Sequence, residues 1–240
     1  MVDPARTVAR MHRAMNEYVD SWRRDPAGPW WEGDLGGQLY GILERHFPRV
    51  SPTTLATAPS FLARWRAPLF HRLTAEFHVP GGGKGIYPDF SYRGPQGDGF
   101  DWVLELKIAS MTRVATSDVQ KQASELINYM LDDVRRWAAR EDTRYVLSFA
   151  AVNAPDVLET RQRGSAQPQS YLRTFLDGVD AVLDQKLQEL RAEVPGDTTW
   201  DMWIVCKEIS GERIRKFDQV VWGVRSRKLY RSTTPGGFQT

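Results

Sequence analysis

Tyr87-Pro88-Asp89-Phe90-Ser91-Tyr92 and Phe100-Asp101-Trp102-Val103-Leu104-Glu105-Leu106-Lys107-Ile108 flank the turn signal Gly94-Pro95-Gln96-Gly97-Asp98-Gly99. In the second segment Trp102, Leu104 and Leu106 alternate with Asp101, Val103, Glu105 and Lys107, the two-residue period of a strand. Tyr87 to Tyr92 reads as its neighbour, with Asp89 at the start. Glu105 and Lys107 are two positions apart, so their side chains leave one face. Two carboxylates and an ammonium are thereby expected to converge at one spot on a sheet. The competing reading makes Glu105 and Lys107 a solvated strand face and Asp89 a turn residue.

Upstream, Leu73 to Val79 predicts a further strand, joined through Gly81-Gly82-Gly83-Lys84-Gly85 to complete an antiparallel meander. That glycine run lacks the phosphate-loop form and is followed by a strand, so it reads as a hairpin connection. Downstream, Ser117-Asp118 caps a helix to about Arg140 with Val119, Ala123, Leu126, Ile127, Met130, Val134 and Trp137 on one side. Arg144 to Val152 is a near-continuous apolar strand suited to a sheet centre. Tyr171 to Glu193 is a second amphipathic helix, and Trp200 to Ile209 a strand that Ser210-Gly211 turns into a hairpin. Before the meander, Val8, Met11, Met15, Val19 and Trp22 mark a helix opened by Asp3-Pro4, and a second runs from about Trp31 to Phe47. The order predicts an α/β fold with a central mixed β-sheet flanked by helices. Residues 1–28 form an N-terminal helix, 29–210 the main domain, and 211–240 a basic C-terminal extension or hairpin.

The chain has 240 residues, enough to bury a core without a disulfide framework, and Cys206 is its only cysteine. One thiol and four scattered histidines exclude the usual Cys/His zinc site. Of the nine tryptophans, Trp102, Trp137, Trp200 and Trp203 lie in apolar patterns and are expected in the core. Met1 to Arg6 offer no apolar stretch of the kind a secretory signal requires, and the longest nearly apolar run, Tyr145 to Val152, falls short of the ~20 residues that span a bilayer. A cytoplasmic protein with no membrane partner is expected. Net charge is only +2, so any attraction to phosphate must come from local clusters. Seven basic residues between Arg213 and Arg231 (Arg213, Arg215, Lys216, Arg225, Arg227, Lys228, Arg231) face one acid, Asp218. This is either a backbone-tracking nucleic-acid patch or a solvated hairpin with a basic tail.

Hard oxygen ligands suit Mg²⁺, which needs only one or two carboxylates because water and substrate phosphate complete its shell. The pattern Pro88-Asp89 … Glu105-Leu106-Lys107, on a hairpin followed by a helix, resembles the PD-(D/E)XK nuclease superfamily over about residues 31 to 150. The resemblance implies a restriction-endonuclease-like fold and hydrolysis of DNA phosphodiester bonds with Mg²⁺ or Mn²⁺. It implies metal ligation by Asp89 and Glu105 and catalysis by Lys107. An upstream helical acid is expected by the same likeness, with Glu32 first and Glu44 second choice, and a polar residue on the following helix, with Gln122 first and Lys121 close behind. Lys84 would touch a phosphate. By analogy the setting is restriction or other anti-phage defence, with a homodimer cutting both strands. A repair or recombination nuclease, a non-catalytic binding subunit and a small phosphate-ester hydrolase are the alternatives.

Overall fold

The computed structural model describes residues 4–24, 32–47, 73–75, 88–93, 99–110, 116–155, 171–194, 198–216, 219–226, 229–233 and 237–239. Two helices, α1 (Pro4–Arg24) and α2 (Glu32–His46), precede three strands, β1 (Leu73–Ala75), β2 (Phe90–Arg93) and β3 (Phe100–Ser110). Helix α3 (Thr116–Ala138), strand β4 (Tyr145–Pro155) and helix α4 (Tyr171–Glu193) follow. The chain ends in β5 (Thr199–Lys216), β6 (Gln219–Ser226), β7 (Leu229–Thr233) and β8 (Gly237–Gln239).

Strands β1, β2 and β3 form the antiparallel meander. β4 pairs in parallel with β3 on one side and β5 on the other, so the most apolar strand lies at the centre. The strand order is β1-β2-β3-β4-β5-β7-β8, with β6 paired to the far part of β5. This is a mixed α/β sheet flanked by helices. Of the strand expected over Leu73 to Val79, residues 76–79 lie outside the described residues, as does the connection carrying Lys84.

Alternation along the strands builds two separate cores. Val103, Val146, Ala150, Val152, Met202 and Ile204 pack under α3 and α4. Trp102, Leu104, Leu106, Tyr145, Leu147, Phe149, Ala151 and Trp203 pack under α1 and α2. Trp102, Trp137 and Trp203 are buried as expected; Trp200 packs partly buried at the edge. Met11, Met15 and Tyr18 of α1 share the second core with the sheet, so residues 4–24 are a layer of the main domain. A three-group contact pins this helix to the sheet. His12 Nε2 lies 2.6 Å from Asp201 Oδ2, to which Tyr145 also donates at 2.7 Å. Among the described residues no helix is long and apolar enough to cross a membrane.

The turn expected at Ser210-Gly211 is not there. β5 continues to Lys216, and the register against β6 shifts between Ser210 and Gly211. A glycine beside a small polar residue suits a β-bulge as well as a turn, and the antiparallel partner decides between them. Residues 217–218 lie outside the described residues, and the boundary expected at 210/211 falls inside a strand. β7 returns to pair with β5 at Val205, Cys206 and Lys207, which ties part of the C-terminal segment to the main sheet.

Gly99 shows where the backbone leaves no room. A Cβ there would lie 2.5 Å from the carbonyl oxygen of Asp142, the same oxygen that accepts from Phe100 N–H at 2.7 Å. Gly37 is exposed on α2 with nothing within 4 Å of an added Cβ. Gly99→Ala is expected to cost about 1–3 kcal/mol, and Gly37→Ala to gain about 0.5–1 kcal/mol from helix propensity. Thermal unfolding of both variants checks this, and an unchanged or raised Tm for Gly99→Ala contradicts the close approach.

Candidate active site

Asp89 stands one residue before β2, where its Oδ2 accepts the Leu106 N–H at 2.6 Å. A side chain thus continues the β2–β3 ladder one step past its first pair, Phe90 with Leu104, and the acid is fastened between Glu105 and Lys107. Glu105 is 4% exposed and points toward α3, where Trp137 Nε1–H donates to its Oε1 at 2.5 Å. The solvated-face reading of Glu105 is therefore wrong. Lys107 Nζ lies 3.8 Å from Glu105 Oε2 and 2.8 Å from Asp133 Oδ2, and donates to the Leu106 carbonyl at 3.1 Å. The Asp133 contact is the closest ion pair of the cluster, between a partly exposed ammonium and a buried carboxylate. Arg136 completes the cluster, its NH1 3.6 Å from Asp133 Oδ1 and 4.0 Å from Glu105 Oε1.

Three carboxylates thus face two cations in a largely dry setting. Burial, then the charges of Asp133 and Asp89, push Glu105 up from 4.5 to about 8. Burial also raises Asp133, against the pull of Lys107 and Arg136. For Lys107 burial acts downward, yet Asp133, Glu105 and Asp89 outweigh it and hold the ammonium above its ordinary value. Ser148, opposite Glu105 in the β3–β4 register, buries its hydroxyl with no hydrogen-bond partner among the described residues.

Sequence reasoning placed Asp89, Glu105 and Lys107 correctly beside one another and missed Asp133, Arg136 and the hydrogen bond from Trp137. An aspartate among Met130, Val134 and Trp137 on the buried helix stripe was the available signal. Gln122 and Lys121 do lie on α3, but eleven and twelve positions before Asp133. At 1.5 Å per residue that is about 16–18 Å along the axis, so they are not the helix residues that meet Glu105. Lys121 is exposed and faces Glu125 at 3.8 Å. Asp101 shares the strand face but pairs with Arg144 at 3.1 Å.

Glu32 is the first residue of α2, on the opposite side of the sheet from α3, and its side chain lies outside the described residues. Glu44 is exposed, about 18 Å further along the helix. Positions 213, 215, 216 and 225 fall on the β5–β6 hairpin, while Arg227 and Lys228 lie outside the described residues. Nothing further is described for their side chains. Among the described residues, no group of three or more His, Cys, Asp or Glu side chains is arranged to hold a metal ion by itself. The chain matches no family model and no curated protein in sequence.

The raised Glu105 carboxyl makes a pH prediction for the metal-free protein. Between 4.5 and about 8 the folded state holds a proton that the unfolded chain releases, so stability falls as pH rises through that window. Glu105→Gln, which has no such charge to bury, should unfold at a higher Tm than wild type above pH of about 8. The difference should shrink toward acid pH. Calorimetry in EDTA across the range reads this directly, and a variant less stable than wild type at alkaline pH contradicts it.

Proposed function

We propose that the chain is a metal-dependent nuclease of the PD-(D/E)XK, restriction-endonuclease-like kind that hydrolyses DNA phosphodiester bonds. The observation that carries this reading is the convergence of Asp89, Glu105 and Lys107 on adjacent strands, in the pattern quoted above. The sequence of helix, three-stranded meander, helix and parallel strand supports it. Restriction or other anti-phage defence by a homodimer is the setting that suits it by analogy.

The donor set fits Mg²⁺ or Mn²⁺. Asp89 Oδ1 and Glu105 Oε2 have no hydrogen-bond donor among the described residues, and both belong to hard carboxylate oxygens. Charge agrees with chemistry here, because burial and then the charges of Asp133 and Asp89 raise Glu105, and an added cation offsets both. Two protein carboxylates are sufficient when water and phosphate supply the remaining ligands. Asp89 and Glu105 would hold the ion, and the chemistry it would supply there is activation of water and neutralisation of charge at phosphorus.

The remaining work falls to the chain's own groups. Trp137 fixes the rotamer of Glu105 through the indole N–H. Leu106 N–H does the same for Asp89. Lys107 keeps its proton, since its surroundings raise its pKa, and so acts as a fixed cation that orients the attacking water or stabilises developing negative charge. Asp133 sets where that ammonium stands.

Purified protein incubated with supercoiled plasmid, linear duplex and single-stranded DNA should cleave with Mg²⁺ and not with EDTA. Asp89→Ala and Lys107→Ala should each lower the rate by at least about 100-fold, with far-UV circular dichroism unchanged. Full activity in either variant, or no metal-dependent cleavage by wild type, overturns the proposal.

A further inference from the structure

Arg136 is set apart from the other arginines near it. Arg135 hydrogen-bonds Glu193 at 2.5 Å and Asp132 at 3.0 Å. Arg140 holds both oxygens of Asp142 at 2.9 Å, and Arg144 donates to Asp101 at 3.1 Å. Each has a structural partner. Arg136 has none at hydrogen-bond distance among the described residues, and its nearest carboxylate oxygens are 3.6 and 4.0 Å away.

Its side chain is 44% exposed, whereas those of Glu105 and Asp133 are 5% and 4% exposed. The guanidinium therefore stands at the rim of the acidic cluster with its N–H fork unfilled. Its place in the last turn of α3 favours a cation in the absence of any ligand. A planar fork at that distance matches two oxygens of a phosphate better than a lysine would.

We infer that Arg136 is a substrate-binding residue that holds a backbone phosphate of the nucleic acid beside Glu105 and Lys107. This rests on the nuclease reading and adds the group that docks the substrate at the acids. A positive fork there adds to Lys107, which is held close to Asp133, in offsetting the repulsion between a phosphate and three carboxylates.

The test is the salt dependence of binding. Anisotropy of a short fluorescent DNA duplex, with Ca²⁺ and with EDTA, is titrated between about 50 and 200 mM salt. Loss of one phosphate contact in Arg136→Ala should make the negative slope of log K against log salt shallower by about 0.9. Arg136→Lys keeps the charge and loses the fork, so it should retain the wild-type slope and bind more weakly at every salt concentration. A structural role for Arg136 would leave the slope unmoved. Wild-type binding with an unchanged slope in Arg136→Ala overturns this inference alone, and a wild type that neither binds nor cleaves DNA overturns the nuclease reading with it.

Discussion

The two-residue period of β3, enclosed between two helical layers, is the constraint on which the site depends. Trp102, Leu104 and Leu106 are required by the core under α1 and α2. Val103, Glu105 and Lys107 are then committed to the side of α3. Both faces are covered along residues 101–106, so a carboxylate at position 105 is buried by the same alternation that buries the leucines. Parallel pairing to β4, itself enclosed by β5, fixes the height of the strand. A one-residue slip would exchange the two faces, placing Glu105 among tryptophans and leucines.

Two buried acids in this molecule show what such enclosure demands. Asp201 has a tyrosine hydroxyl at 2.7 Å and a histidine ring at 2.6 Å on one oxygen, and the arrangement ties a helix to the sheet. Tyr145 stays neutral beside it, its hydroxyl held well above the ordinary value by burial and then by Asp201. Glu105 is different. Its one strong donor is an indole N–H, and its neighbours include two further carboxylates. Buried polar groups in folded proteins are as a rule satisfied. A cluster that is short of positive charge opposes folding, and under the proposed function a bound cation would offset that cost.

Periodicity carried the elements whose burial is regular. The helix over Tyr171 to Glu193 and the central strand from Tyr145 repeat their apolar residues without interruption, and both form as read. Ser210-Gly211 misled because local turn chemistry and bulge chemistry use the same residues, and only the pairing partner separates them. Asp89, Glu105 and Lys107 were legible because adjacent strands of a tight meander bring them together with little freedom. Asp133 was legible only as an acid on an apolar stripe, which marks it as buried without saying which strand residue it faces. Placing Gln122 near the site assumed that the helix residues closest in sequence to the strand are closest in space.

That assumption fails for a geometric reason. β3 and β4 are parallel, so the helix between them must run antiparallel to both, and its end returns to the beginning of β3. Trp137 accordingly meets Phe100 and Glu105, and Asp133 meets Lys107. The spacing then matches itself. Four residues back along a helix cover about 6 Å, and two residues forward along a strand cover about 6.6 Å. A helix pair at i and i+4 therefore faces a strand pair at j and j+2 with almost no offset. Trp137 with Asp133 and Glu105 with Lys107 are such pairs, which lets one rigid crossover hold an acid by an indole and an ammonium by an acid. Mobile loops need not supply either contact, and the site gains its order from the crossover itself.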